Sequence, residues 1–479
     1  MRATQNTVIL VIALLSGTLP ALGQGFQDFI NHIHALPADQ RPALVDSLMA
    51  NLPGSATPIR EADRAWFLYR GTASTLALAG DMTGWQPDFA LSLIGGTDLW
   101  YRGFLCEEDA RLDYKFVRNG SQWILDPLNP LTCNGGFGPN SELAMPAYVQ
   151  PPEILNQGLP AGTLVTWNNF HSPQLGNTRT IQILLPPGHV EGQARGVCLV
   201  HDGLEYLSLA YLRNVVAWLA NEHPTLELPI FVCVPPVNRT AEYQTTQQAA
   251  FGLFIAETVV PAVRAAWATH EDPARWITLG ASNGGNISAY LLGEFPLIFG
   301  RGILMSPYLP QAQQNRLAAL SPDSLRLYLN WGSYDLDAIR PLAEQTAELL
   351  EARGVPHLAR VYHEGHSWGL WRATIDEGLL FVLEAETALP RSDGGVRPGR
   401  LDLRAWPNPF NSTLSVSLDG MGSAHLRLFD GLGRLRQERE MPAHRQVLSW
   451  EMDTLPTGRY WIEARRGQAR GLTSVTLVR

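Results

Sequence analysis

Three side chains in this sequence, Ser282, Asp335 and His366, have the types and the chain order of a nucleophile, an acid and a base. A serine hydroxyl is a poor nucleophile at neutral pH. It needs an imidazole within hydrogen-bond reach and a carboxylate that holds the imidazole in the correct tautomer. Ser282 sits in Gly280-Ala281-Ser282-Asn283-Gly284, the G-x-S-x-G spacing of a nucleophile elbow, where the serine occupies a strained turn and its hydroxyl stands clear of the backbone. Glycines are needed two residues to either side because the tight turn leaves no room for a Cβ. The same five residues describe many ordinary turns, so the flanks decide. Trp276 to Leu279 reads as a buried strand and Gly284 to Leu292 as a helix, which is the strand-turn-helix context an elbow requires.

The acid and the base fall where strands end. The apolar run Leu325 to Trp331 leads into Gly332-Ser333-Tyr334-Asp335, and Leu358 to Tyr362 leads into His363-Glu364-Gly365-His366. Side chains at the carboxyl ends of strands in an open α/β sheet share one edge, so both would meet Ser282 there. Asp335 is the leading acid and Asp337 the alternative, since a shift of two residues in the strand end exchanges them. His366 is preferred over His363, which still belongs to the strand. A His363/His366 metal pair competes, but no third ligand is evident, and neither a metal nor a cofactor is expected. The oxyanion hole needs two backbone N–H groups. One is assigned to Asn283, the other to Gly203 or Leu204 in the turn His201-Asp202-Gly203-Leu204, where His201 and Asp202 shape the backbone.

These positions require alternating strands and helices. After Pro151 and Pro152 the pattern becomes two opening antiparallel strands, Thr163 to Trp167 and Thr178 to Leu185, followed by buried strands of parallel type at Val197 to His201 and Ile230 to Pro235. Phe251 to Trp267 reads as one long helix before the elbow strand. The fold class is α/β: an α/β-hydrolase fold, a doubly wound and mostly parallel sheet, flanked by an N-terminal and a C-terminal β-sandwich. The expected boundaries are a signal peptide at 1–23, a helical leader at 24–56, a β-sandwich at 57–150, the hydrolase at 151–388, a linker at 389–402 and a second β-sandwich at 403–479.

Composition narrows the partners. A net charge of −9, without Lys/Arg clusters, argues against nucleic acid or an anionic membrane surface. Met1-Arg2, the apolar run Val8 to Leu15 and the small-residue site near Gly23 form a signal-peptide pattern, too short to span a bilayer, and no other segment is read as spanning one. Export permits disulfides. Cys198 and Cys233 lie in apolar strands and read as buried thiols, whereas Cys106 and Cys133 are the pair that could bridge.

Several motifs resemble known families. Val200-His201-Asp202-Gly203, Asn238 to Tyr243, Glu257, Pro261, the elbow, and Gly365-His366-Ser367-Trp368 with Trp371-Arg372 are similar to the enterochelin esterase and feruloyl esterase group, over roughly residues 60 to 387. That resemblance implies hydrolysis of carboxylic esters through an acyl-serine, with Arg239, Glu242 and Trp368 near the substrate. For Arg239 and Glu242 an ion pair that fixes the loop is the equal alternative. Gly80-Asp81-Met82-Thr83-Gly84-Trp85 and the runs 112–116 and 125–127 resemble the early-set immunoglobulin-like module that precedes the catalytic domain in those proteins, and also glycogen-binding modules. Trp85 and Trp100 could face a sugar, but in a small sandwich they fit the core better. Trp406 to Asn411, Leu426 to Arg434 and Leu455 to Trp461 resemble the C-terminal sorting domain of type IX secretion substrates, which implies secretion machinery as a partner and a secreted or cell-surface location. A surface protein that binds carbohydrate and carries a silent hydrolase domain is the alternative. The complete set of serine, acid and histidine argues against it.

Overall fold

The computed structural model describes residues 25–52, 57–383, 403–418, 423–430, 435–442, 447–452, 454–466 and 469–479. The expected signal peptide and linker lie outside them. The chain divides into two compact units. One comprises Met1–Ala62, Leu68–Trp100 and Glu107–Leu389, the other Asp63–Phe67, Tyr101–Cys106 and Pro390–Arg479.

The first unit is organised by a sheet whose strands run in the order Thr163–Ser172, Asn177–Leu185, Ile230–Val234, Val197–His201, Trp276–Ala281, Arg301–Met305, Arg326–Tyr334 and His357–Gly365. The opening pair is antiparallel and the six strands from Ile230–Val234 onward pair in parallel. Helices cover both faces of the parallel part, so its strands are apolar throughout rather than alternating. Successive residues still point to opposite faces. Val197 and Leu199 join one buried cluster, while Cys198 and Val200 join the other.

The sheet does not stop at the histidine strand. His357–Gly365 pairs in parallel with Arg111–Arg118, with Glu364 opposite Arg111, and that strand pairs in turn with Gly138–Ala144. The N-terminal strands therefore extend the hydrolase sheet. Phe26–Ala35 and Arg41–Asn51 are helices.

Several expectations need correction. The stretch read as one helix from Phe251 is an α-helix, Gln248–Phe254, a π-turn at Ile255–Val259 and an α-helix, Val260–Ala266. Pro261 has no N–H to return to Glu257, and the ladder is re-registered there. As a whole, Gln248–Ala266 is long and apolar enough to cross a membrane by length and composition. Here its apolar residues Phe251, Phe254, Ile255, Val259 and Val263 pack into the sheet core. Cys106 and Cys133 are buried and are not joined by a disulfide, and Cys198 and Cys233 are likewise buried thiols. The residue opposite Cys133 in its ladder is Asn140, so no thiol faces it across the strands.

In the second unit, the described C-terminal residues form a three-stranded and a four-stranded sheet, the latter in the order Leu435–Met441, Ala424–Asp430, Gly458–Arg466, Ala469–Leu477. Leu414, Leu428, Trp450 and Ile462 are among the residues of its own core.

Candidate active site

The elbow strand Trp276–Ala281 ends at Ser282, and the helix Asn283–Glu294 begins at the next residue. Ser282 has φ 57° and ψ −118°, a conformation that a residue with a Cβ occupies only under strain. Its backbone is held there from both sides. The N–H donates to the Met305 carbonyl at 2.9 Å, and the carbonyl accepts from Gly285, Asn286 and Tyr308 N–H groups at 3.0, 3.2 and 3.0 Å. A Cβ on Gly280 would stand 2.4 Å from the Gly284 backbone, which explains the first glycine of the motif.

The strand Arg326–Tyr334 delivers Asp335 and the strand His357–Gly365 delivers His366, each one residue beyond its end. Nδ1 of His366 lies 2.7 Å from Oδ1 of Asp335. Burial alone would raise the Asp335 carboxyl. The His366 charge and hydrogen bond, the Ser306 hydroxyl and the Leu336 N–H outweigh it and hold the group below its ordinary range, so it stays ionised. Asp337 is almost fully exposed, at 96%, and pairs with Arg340. His363 lies within the strand, with Nδ1 2.5 Å from Asp109. The two histidines thus face different carboxylates.

Helices Gly203–Ser208 and Asn283–Glu294 start beside each other, since a Cβ on Gly284 would lie 3.3 Å from Asp202 Oδ2. The first N–H groups of a helix have no acceptor within it. Those of Gly203, Leu204 and Asn283 are such groups. Asp202 turns the chain with φ 52° and donates its N–H to Tyr243 Oη at 2.9 Å. His201 is buried against Thr278 Oγ1 at 3.1 Å, and burial, with Arg239 adding to it, pushes it down to about 3. It remains neutral and structural.

Arg239 grips Asp202 with both arms of its fork, at 2.8 Å each, and donates to the Ala281 carbonyl at 3.2 Å. It ties the 201–204 turn to the elbow. Glu242 does not join it. Its side chain is fully buried and accepts from Arg179 at 2.9 Å and from the Val237 N–H at 3.2 Å, because it must neutralise that buried guanidinium. Of the two expected readings, Glu242 takes part in an ion pair that fixes the loop, with Arg179 rather than with Arg239. Trp368 is nearly buried and stands edge-on to Tyr206 and to Trp371 at ring distances of 5.1 and 5.0 Å.

Residues 172–382 match the family model "Putative esterase" and residues 404–476 the model "Secretion system C-terminal sorting domain". The hydrolase domain is an esterase. The ferric enterobactin esterase of Salmonella typhimurium superposes with a TM-score of 0.58 at 21% identity, covering 68% of this chain and 95% of that one. The enterobactin esterase of Shigella flexneri, solved in the presence of enterobactin, gives 0.55 at 21% identity over 67% and 93%. Those likenesses are of fold. An uncharacterized protein of Bacillus subtilis, YjcH, is 23% identical over 242 residues, 47% of this chain and 99% of its own length. The sorting domain implies secretion machinery as a partner and export as the route.

Two supports of the candidate site were not among the sequence candidates. Ser306 follows the strand Arg301–Met305 with φ 40°, accepts from Trp371 Nε1 at 3.0 Å and bonds Asp335. Its place at the carboxyl end of a parallel strand was the available signal. Trp371 packs edge-on to the His366 ring, with centroids 5.0 Å apart. In the N-terminal strands, Trp100 is buried and donates to the Gly71 carbonyl, while Trp85 donates to Asp81.

Proposed function

We propose that the esterase domain hydrolyses carboxylic esters through an acyl-serine on Ser282. Ser282 Oγ attacks the ester carbonyl while its proton passes to Nε2 of His366, whose Nδ1–H is held by Asp335. The oxyanion is met by the N–H of Asn283 and that of Gly203 or Leu204. His366 then returns the proton to the leaving alkoxide, and a water molecule repeats the sequence to free the acid. Arg239 orders the oxyanion turn, and Trp368 borders the acyl or alcohol pocket.

The observation that carries this reading is the left-handed Ser282 on a strand-to-helix turn, at the sheet edge where the 2.7 Å His366–Asp335 pair also stands. The predicted signal peptide and a type IX sorting tail would deliver the enzyme outside the cell. Esters of plant polysaccharides or phenolic acids suit that location better than an imported siderophore. A panel of feruloyl, acetyl and catecholate esters, assayed with wild type and Ser282→Ala, tests both parts. One class should be turned over by wild type, and turnover should collapse in the variant.

A further inference from the structure

Behind the loop that carries His366 lies a buried ionic cluster. Arg111, Asp113 and Glu142 come from the N-terminal strands, Asp81 from the turn that follows the strand Leu76–Gly80, and Glu364 and Arg372 from the esterase domain. Arg111 is its centre and is fully buried. Nη2 donates to Asp113 and to Glu142 at 2.7 Å each. On its other side, Nη1 donates to Ser367 Oγ at 3.2 Å and lies 3.5 Å from Glu364 Oε2.

Residues 364 and 367 bracket His366, so one guanidinium grips the histidine loop on both sides. The fit between the surfaces is close. A Cβ on Gly365 would stand 1.9 Å from Asp81 Cγ, and one on Gly369 would stand 1.8 Å from Arg111 Nη1. Asp81 is itself fixed, accepting from the Asp113 N–H at 2.7 Å and from Trp85 Nε1 at 3.0 Å. Neither glycine could carry a side chain without displacing Asp81 or Arg111 or the loop itself. Asp113, Cys133 and Glu142 have ligand atoms within 4.8 Å of one another, but Arg111 already bonds both carboxylates and Arg372 also pairs with Glu142.

We propose that Arg111, from the N-terminal strands, is a positioning residue for His366, acting through Ser367 and Glu364. The proposal rests on the acyl-serine reading given above. A buried fork with fixed geometry suits this task, because an ammonium in its place cannot reach both the strand carboxylates and the loop. Misplacing a base by about 1 Å costs on the order of 10²-fold in rate.

The test compares wild type, Arg111→Lys and Ser367→Ala, each quantified by titration with a fluorophosphonate so that turnover is counted per reactive serine. Both variants should show a lower kcat with KM nearly unchanged, by about 10²-fold for Arg111→Lys and several-fold for Ser367→Ala. The acid limb of the kcat–pH profile should shift in both, because the environment of His366 changes. If both variants keep wild-type kcat per titrated serine and an unmoved pH profile, while only thermal stability falls, Arg111 is merely structural and the proposal is overturned. Ser367→Ala keeps the whole ionic cluster, so it decides the matter even if Arg111→Lys fails to fold. Wild type that is not labelled at Ser282 would instead bring down the acyl-serine reading itself.

Discussion

Nδ1 of His366 lies 2.7 Å from Oδ1 of Asp335, and the same imidazole is packed edge-on, at 90°, against Trp371. One carboxylate therefore sets the tautomer and one indole sets the ring plane. Asp335 is in turn bonded by Ser306, which also accepts from Trp371, so the supports of the histidine are themselves connected.

This arrangement separates the two acids that the sequence left open. Asp335→Asn should lower kcat by about 10³- to 10⁴-fold, since an amide cannot hold the required tautomer. Asp337→Asn, at an exposed side chain bonded only to Arg340 among the described residues, should stay within a few-fold of wild type. Steady-state kinetics on an aryl ester distinguishes them, and equal losses would contradict the assignment.

The parallel strands were legible because both of their faces are buried, which leaves uninterrupted apolar runs in the sequence. The strand ends were harder to read. Arg326–Tyr334 runs three residues past Trp331, which brings Asp335 directly to the sheet edge. The helix Gln311–Ala319 was not read because its residues are mostly polar and give no apolar period. The partnership of Arg111 with Ser367 spans 256 residues, and only the pairing of the strands Arg111–Arg118 and His357–Gly365 reveals it. Its one local trace is the charged pair Arg111 and Asp113 at the start of a strand that also carries Lys115 and Arg118.

Glu242 and Arg239 should part ways in experiment. Glu242→Ala leaves the Arg179 guanidinium buried without its partner and should cost about 3–5 kcal/mol of stability. Arg239→Met, at a side chain that is 39% exposed, should cost less stability but reduce kcat, because the oxyanion turn loses its tie to the Ala281 carbonyl. Denaturant melts alongside kinetics would expose the difference. A large stability loss in Arg239→Met with unchanged kcat would reverse the roles.

Gly280 offers a steric test of the elbow. A Cβ there meets backbone at 2.4 Å rather than a side chain that could swing away. Gly280→Ala should lose most activity and unfold at lower temperature, whereas alanine at Gly188, where nothing lies within 4 Å but φ is +73°, should cost only about 1 kcal/mol and leave kcat intact.

Stability should fall as the solution is made more basic. Burial pushes Glu364 up to about 7, although Arg111 pulls it down, and burial likewise raises Asp126 to about 6. Such groups bind protons more tightly when folded. Their contribution is fully present below the ordinary carboxyl range and is lost as pH rises through the folded values. Between pH 5 and pH 8 the melting temperature should therefore drop, and Glu364→Gln should flatten part of that slope. A slope of the opposite sign, or one unchanged in Glu364→Gln, would contradict the buried charge balance.

The central claim, that Ser282 is the acylated nucleophile, is tested most directly by mass spectrometry of the protein after brief exposure to an activated aryl ester or a fluorophosphonate. The account predicts one adduct per chain, on the peptide that contains Ser282, absent in Ser282→Ala together with aryl-ester turnover. An adduct on another residue, or turnover that survives in Ser282→Ala, would contradict it.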